Sequence, residues 1–117
     1  MINIYDIEKD ELVFSNADQK KFLKNFNYPT EGKGFKAKLE SLVLSDDLEK
    51  LGKSWENYKV LNSVNYEELY YRLIDNNNRI IKLYSRRIPF KIENGEVRQV
   101  LMNEIKISDQ NEHILEL

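Results

Sequence analysis

Two stretches in which apolar and polar residues alternate, joined by three asparagines, constrain the fold of this chain more than any other feature. The apolar positions, two residues apart within each stretch, are Leu69, Tyr71, Leu73, Ile81 and Leu83. A period of two residues is typical of a β-strand with one buried face. We therefore predict that residues 67–75 and 79–88 form an antiparallel hairpin with a loop at residues 76–78.

The length of this loop selects the register of the hairpin. A three-residue loop places Leu73 opposite Ile81 and Tyr71 opposite Leu83. A loop one residue shorter or longer would place apolar residues opposite charged or mismatched ones, and a buried face disfavours such a slip. On the other face the same register gives three pairs, which are Arg72 with Lys82, Tyr70 with Tyr84 and Glu68 with Arg86.

The second face of the hairpin carries cations and tyrosines and is the candidate functional site. Two cations side by side gain no stability, so this face either meets an anion or is a solvated surface on which rings and cations cover each other. Cations stabilise the charge that develops on a phosphate, and tyrosine can stack on a base or transfer a proton, which would allow RNA cleavage without a metal. The candidate catalytic residues are Arg72, Arg79, Lys82, Tyr84 and Arg86. The candidate nucleic-acid or partner-binding residues are Lys59, Tyr70, Arg87 and Lys91.

Composition limits the classes of protein to which the chain can belong. Its 117 residues, 41% hydrophobic and 32% charged, predict one globular domain spanning residues 1–117. The sequence contains no apolar run of membrane-spanning length and no signal-peptide pattern, so we expect a cytoplasmic protein with no membrane partner. The lack of cysteine and the single His113 exclude thiol chemistry and a histidine-rich metal site. No metal or cofactor is therefore predicted.

The net charge of −2 argues against a protein that binds nucleic acid over its whole surface.

The first half of the chain predicts a strand pair followed by helices. Residues 2–7 and 11–15 are expected to be short strands. A helix capped by Ser15 or Asn16 should follow and end before Pro29, and apolar spacing predicts a second helix over residues 35–43. Ser45 is expected to cap a short helical turn that stops at Gly52, with acidic residues in its first turn and Leu48 and Leu51 pointing inward. Those acids, Asp46, Asp47 and Glu49, are interpreted as capping residues and not as metal ligands.

The last part of the chain completes an antiparallel sheet. Pro89 cannot donate a hydrogen bond to a neighbouring strand, so the strand before it either ends there or lies at a sheet edge. The Asn94 and Gly95 pair predicts a tight hairpin turn. Residues 97–107 fit a helix or a strand, and the turn favours a strand over about residues 99–107. The predicted fold class is α+β, an antiparallel sheet with two to three N-terminal helices packed on one face.

Short motifs resemble the RelE/ParE/HigB toxin superfamily. Residues 11–15 followed by residues 17–23 look like its opening strand and helix, and residues 69–73 and 79–84 are similar to its two central strands. The resemblance implies an mRNA endonuclease acting at the ribosome or alone, or a gyrase poison, controlled by an antitoxin. It assigns Arg72 and Arg79 to the arginines of the central strands and Lys59 to a segment that is basic in RNA-cleaving members.

Two functions are therefore expected for the chain. The first is a RelE-like toxin of a toxin–antitoxin system or mobile element that cleaves mRNA or inhibits translation, with mRNA, the ribosome and an antitoxin as partners. The alternative is a non-enzymatic phage or mobile-element protein, an immunity or anti-defence factor, that binds a protein partner through the same face. The acidic total charge slightly favours the alternative.

Overall fold

A computed structural model describes residues 1–26, 32–58 and 66–107 of the chain. Five strands and three helices follow one another in the order β1 (Ile2–Asp6), β2 (Glu11–Ser15), α1 (Ala17–Leu23), α2 (Phe35–Leu42), α3 (Leu48–Asn57), β3 (Glu67–Ile74), β4 (Ile80–Glu93) and β5 (Glu96–Ile107). A short 3₁₀ turn, Ser45–Asp47, precedes α3. Pro29, Lys59 and His113 lie outside the described residues.

The strands form one antiparallel sheet in the order β2-β1-β5-β4-β3. The first strand lies inside the sheet, because Asn3 pairs with Ser15 of β2 on one side and with Met102 of β5 on the other. The chain thus leaves the sheet after β2, forms the helices, and returns at the opposite edge with β3. We call the sheet face that packs against the helices the inner face and the opposite face the outer face.

The central hairpin has the predicted register. Leu73 pairs with Ile81, Tyr71 with Leu83 and Arg72 with Lys82. The loop is held by Asp75, whose Oδ1 accepts hydrogen bonds from the main-chain N–H groups of Asn77 and Arg79, both at 2.9 Å. The alternation of apolar and polar residues, together with the loop length, was therefore sufficient to predict this pairing.

Helix α1 also begins as predicted. The side chain of Asn16 accepts a hydrogen bond from the N–H of Gln19 at 2.9 Å, which satisfies a donor that the first helical turn leaves free. The same oxygen accepts from the N–H of Ile2 at 3.1 Å, so the cap also ties the helix to β1.

The predicted helix stop at Gly52 is wrong. Helix α3 continues through this glycine to Asn57, because Leu51, Ser54 and Trp55 on its inner side are buried. Tertiary packing here outweighs the low helix propensity of one glycine. Leu48, predicted to point inward, is 39% exposed. Asp47 does not cap the helix, since its carboxylate binds Arg72 instead.

Strand β4 does not end at Pro89 but runs on to Glu93. Strand β3 begins opposite Arg87, so beyond that point none of the residues that the structure describes pairs with β4 on this side, and the missing N–H of proline breaks no described pairing there. A bulge follows Pro89. The predicted turn is confirmed, because Asn94 and Gly95 both adopt positive φ angles, 54° and 80°.

The core lies between the inner face and the helices. Aromatic side chains dominate its centre, where the ring of Tyr5 lies 5.1 Å from that of Phe35 and 5.7 Å from that of Trp55. The predicted α+β class, the strand conformation of β5 and the packing of the helices on one face are confirmed. Of the helices described, none is both long and apolar enough to cross a membrane.

Candidate functional site: the polar interior

The inner face of the sheet carries several polar side chains among its apolar ones. The buried ones are Asn3 on β1, Ser85 and Arg87 on β4, and Glu104 on β5. Register brings two of them together, because Ser85 of β4 pairs with Glu104 of β5. Buried polar groups require hydrogen-bond partners. These residues find most of their partners in two hydrogen-bond networks.

The first network centres on the carboxylate of Glu104. Asn3 donates from Nδ2 to Oε1 at 3.1 Å, and the hydroxyl of Tyr71 donates to Oε2. The hydroxyl of Ser15 donates to Oδ1 of Asn3 at 2.8 Å. Burial and the nearby Glu104 carboxylate raise the pKa of Tyr71 well above its ordinary value, so the hydroxyl stays protonated and acts as the donor.

The second network centres on Arg87, which is 0% exposed. Its Nε donates to Ser85 Oγ at 3.0 Å and its Nη1 donates to Ser54 Oγ at 2.7 Å. Nη1 also donates to the hydroxyl of Tyr58. Burial raises the pKa of Tyr58 to about 12, against the opposing charge of Arg87. Three aromatic rings surround the guanidinium, so this network joins α3 to β3 and β4.

A small cleft of about 20 Å³ lies between helices α1 and α2 and the inner face. Phe22, Phe35 and Leu39 supply part of its apolar wall, and Asn3, Tyr71 and Glu104 supply polar groups from the sheet. Gln19 also lines the cleft and is only 2% exposed. Its Oε1 has no hydrogen-bond partner among the described residues. The cleft is thus apolar with a few polar groups, which is the usual composition of a small-molecule site.

The outer face holds most of the candidate residues identified from the sequence. Arg72, Lys82, Tyr84, Tyr70 and Arg86 share this face of β3 and β4, as the register predicted. The rings of Tyr70 and Tyr84 lie 5.1 Å apart. Arg79 is separate, at the hairpin tip, where its Nε lies 3.3 Å from Oδ2 of Asp75.

Two of the cations on this face are held by neighbouring groups. Arg72 forms two side-chain hydrogen bonds of 3.0 Å with Asp47. The guanidinium carbon of Arg86 lies 4.4 Å from the centre of the Tyr66 ring. The Arg86 contact agrees with the expected alternative of rings and cations that cover each other, whereas Arg72 is held by a carboxylate. Binding of an anion or a partner by this face stays a prediction.

Three of the candidate binding residues are not part of this cluster. Arg87 points into the core, because Leu83, Ser85 and Arg87 occupy the buried side of β4, so it cannot meet a nucleic acid or a partner there. Lys91 lies beyond the bulge, where its Nζ is 3.0 Å from Glu93 Oε1. Lys59 falls outside the described residues.

Sequence reasoning missed the polar interior. No pattern in the sequence singles out Glu104, Asn3 or Gln19. A signal existed for Arg87, since it continues the inward positions Leu83 and Ser85 with the same period of two. Among the described residues, no cluster of acidic or histidine side chains could hold a metal ion.

Comparison with known proteins identifies the fold. No protein-family model and no curated protein matches the chain. Among solved structures, the PAS-B domain of Drosophila melanogaster Cycle with bound ethylene glycol gives a TM-score of 0.68 at 14% identity, covering 91% of this chain and 98% of that one. A sensory box histidine kinase/response regulator from Burkholderia thailandensis gives 0.66 at 14%, covering 98% and 83%. A Rhodobacter sphaeroides LOV protein gives 0.72 at 9%, covering 95% and 61%. The chain has the PAS fold.

The PAS fold overturns the resemblance to the RelE/ParE/HigB superfamily. The quoted motifs describe a strand followed by a helix and a pair of central strands, and the PAS fold contains both arrangements. The solved structures described above are sensory, PAS and LOV proteins, and none of these three is a toxin. The predicted toxin, endoribonuclease and RNA-binding functions are therefore wrong, and the alternative of an immunity or anti-defence factor gains no support. The comparisons identify no partner, whether antitoxin, ribosome or another protein.

Proposed function

We propose that this chain is a signal-sensing domain of PAS type, which responds to a small molecule bearing a hydrogen-bond donor in the cleft beneath α1 and α2. The observation that carries the proposal is the unpaired Oε1 of Gln19, buried at the wall of that cleft. A buried acceptor without a partner costs about 1–3 kcal/mol. A ligand that donates a hydrogen bond to it recovers that cost.

The size and chemistry of the cleft restrict the ligand. About 20 Å³ is the space of roughly one water molecule, so an organic ligand enters only if the cleft widens. The apolar wall formed by Phe22, Phe35 and Leu39 favours a molecule with a methyl or methylene group. The signal is thus a small alcohol-like or amide-like compound whose entry moves α1 and α2 away from the sheet.

The polar interior offers a route from the cleft to the sheet. Asn3, Tyr71 and Glu104 line the cleft and also form the Glu104 network. A ligand that competes for one of these hydrogen bonds changes the contacts of β1, β3 and β5 together. Similarity to sensory proteins supports this role, since one neighbour is described as a sensory box histidine kinase and another carries ethylene glycol.

The proposal is tested by titrating ¹⁵N-labelled protein with methanol and ethylene glycol, followed by amide chemical shifts. Acetonitrile, which is equally small and has no O–H or N–H donor, is the control ligand. We expect saturable shift changes at Gln19, Tyr71 and Glu104 with the two alcohols and none with acetonitrile.

Two variants locate the effect at the acceptor. Gln19→Leu removes the oxygen and keeps a similar volume, so it should abolish the response to both alcohols. Lys20→Leu changes an exposed neighbour in the same helix and should leave the response unchanged. Equal responses to the alcohols and acetonitrile, or a response that survives Gln19→Leu, would reject the proposed ligand class.

A further inference from the structure

The guanidinium of Arg87 is a buried charge in an unusual setting. It is 0% exposed, and against the opposing effect of burial the charges of nearby groups, Glu67 and Glu104 among them, raise its pKa above the ordinary value. Burying a charge is costly unless it is compensated. Three hydrogen bonds to uncharged hydroxyl groups, from Ser54, Tyr58 and Ser85, supply part of that compensation.

Aromatic rings also stabilise the guanidinium. The guanidinium carbon lies 5.8 Å from the ring centre of Trp55, 5.5 Å from that of Tyr58 and 5.6 Å from that of Tyr71. A cation within about 6 Å of a ring face is attracted by the ring quadrupole, more strongly where water is excluded. We call these three residues the aromatic cage.

The cage and its occupant come from different elements. Trp55 belongs to α3, Tyr58 directly follows that helix and Tyr71 belongs to β3, whereas Arg87 enters from β4. The guanidinium therefore sits in the cage as a ligand would, attached to the chain by its own methylene groups.

A carboxylate oxygen of Glu67 next to the cage accepts no hydrogen bond from Arg87. Glu67 of β3 pairs directly with Arg87 in the strand register. Its buried Oε2 and the buried Nη2 of Arg87 both lack a hydrogen-bond partner among the described residues. The backbone fixes the position of the arginine side chain, and a free guanidinium ion would be able to approach this oxygen.

We propose that the aromatic cage is a binding site for guanidinium-type cations, which Arg87 fills as a built-in ligand and which accepts a free alkylguanidinium once that side chain is removed. This inference goes beyond the sensing function, and of the cage and its occupant only Tyr71 also lines the cleft. Its failure would leave the cleft at Gln19 unaffected.

The test uses the full chain with Arg87→Ala and ethylguanidinium, which replaces the deleted atoms. Trp55 is the only tryptophan, so its fluorescence reports directly on the cage. We expect ethylguanidinium to raise the unfolding temperature of Arg87→Ala and to change its fluorescence with half-saturation at about 1–10 mM. That concentration is far below the molar range in which guanidinium denatures proteins.

Matched probes separate charge from shape. Urea has the same planar form without the charge and should give no stabilisation, and sodium chloride controls for ionic strength. The wild type and Arg87→Met, in which a side chain already fills the space, should show no saturable response. Arg87→Ala that is unfolded in buffer should regain its folded circular dichroism with ethylguanidinium.

A second substitution tests the unused acceptor. In the Arg87→Ala background, Glu67→Gln should weaken ethylguanidinium binding about tenfold or less, since it removes a charge but keeps an oxygen. Glu68→Gln alters the adjacent, exposed carboxylate and should have no effect. Equal stabilisation by urea, or no effect of ethylguanidinium on either folding or fluorescence, would overturn the assignment.

Discussion

At the scale of single residues, Asp47 shows how one buried carboxylate organises its surroundings. Its side chain is 4% exposed and accepts three hydrogen bonds from Arg72, from the main-chain N–H at 2.9 Å and from Nε and Nη2 at 3.0 Å each. These hydrogen bonds, against the opposing effect of burial, hold the pKa of Asp47 below its ordinary value of 3.8. The pair attaches the start of α3 to strand β3.

The lowered pKa of Asp47 makes stability depend on pH in a definite direction. The folded carboxyl binds protons less readily than the unfolded one, so its contribution is complete above the unfolded pKa and is lost as pH falls through the folded value. We expect Asp47→Asn to lower the free energy of unfolding at pH 7 by about 1–3 kcal/mol, measured by urea denaturation. It should also reduce the loss of stability below about pH 4.

The neighbouring acid provides the control for this experiment. Asp46 is exposed, and Asp46→Asn should leave both the stability and its acid dependence nearly unchanged. Asp6 and Asp75 also have lowered pKa values, so part of the acid dependence must remain in Asp47→Asn. A variant whose stability falls in acid as steeply as that of the wild type would show that Asp47 does not carry the predicted linkage.

The same residue shows the limit of reading single positions from the sequence. Asp47 follows Ser45 as a capping residue would, and its local context gives no sign of a partner 25 residues away. The burial of Arg87 was easier to predict, because the alternation along β4 already places this residue on the inward side. Its charge alone argued for the surface, and the aromatic cage that compensates the charge comes from α3 and β3.

At the scale of elements, α2 is capped by a residue from a distant turn. Gly34 precedes the helix and offers no side chain. Asp10, in the turn between β1 and β2, accepts from the N–H of Lys36 at 3.1 Å through Oδ1. Its main-chain oxygen accepts from the N–H groups of Gly34 and Phe35 at 2.9 and 3.0 Å. Asp10 has a positive φ of 51°.

This arrangement predicts different outcomes for two substitutions of Asp10. Asp10→Ala loses the side-chain acceptor and places a residue with no local hydrogen bond at positive φ, so the free energy of unfolding should fall by about 1–3 kcal/mol. Asp10→Asn keeps an amide oxygen and tolerates positive φ, and the decrease should stay below about 1 kcal/mol. Hydrogen exchange at the Lys36 amide should be faster in Asp10→Ala. Equal stability of the two variants would contradict this account of the cap.

Elements with strong local signals were predictable and those decided by packing were not. The hairpin of β3 and β4 follows from alternation and loop length, and α1 follows from Asn16 and its apolar stripe. Helix α3 passes the glycine that should have ended it, since Leu51 and Trp55 on either side are buried in the core. That information lies in the tertiary contacts and not in the segment itself.

At the scale of the whole molecule, the sheet order was not predictable from local pattern. The strand β1 lies between β2 and β5, so Asn3 pairs with a residue about a hundred positions later. Nothing in residues 2–6 specifies that partner. The same local motifs fit the RelE-like arrangement and the PAS fold, and the misassigned function followed from this ambiguity.

The Glu104 network connects these distant strands. Glu104 lies on β5 and receives hydrogen bonds from Asn3 of β1 and Tyr71 of β3, while Ser15 of β2 reaches it through Asn3. Four of the five strands therefore depend on one buried carboxylate. Removing a single donor should affect the sheet as a unit and not one strand alone.

Adjacent tyrosines allow this coupling to be measured. Tyr71→Phe leaves the ring in the core and deprives Glu104 of a donor, so we expect the free energy of unfolding to fall by about 1–3 kcal/mol. Tyr70→Phe removes the same hydroxyl from a side chain that is 58% exposed on the outer face and should cost less than about 0.5 kcal/mol. In Tyr71→Phe, hydrogen exchange should accelerate in β1 and β5 as well as β3, with a single unfolding transition and an unchanged denaturant dependence.

A double substitution tests the carboxylate itself. Adding Glu104→Leu to Tyr71→Phe should lower the free energy of unfolding by less than the two single changes combined, because no unpaired carboxylate then remains in the core. Equal costs for the two tyrosines, or faster exchange confined to β3, would show that the network does not hold the sheet together.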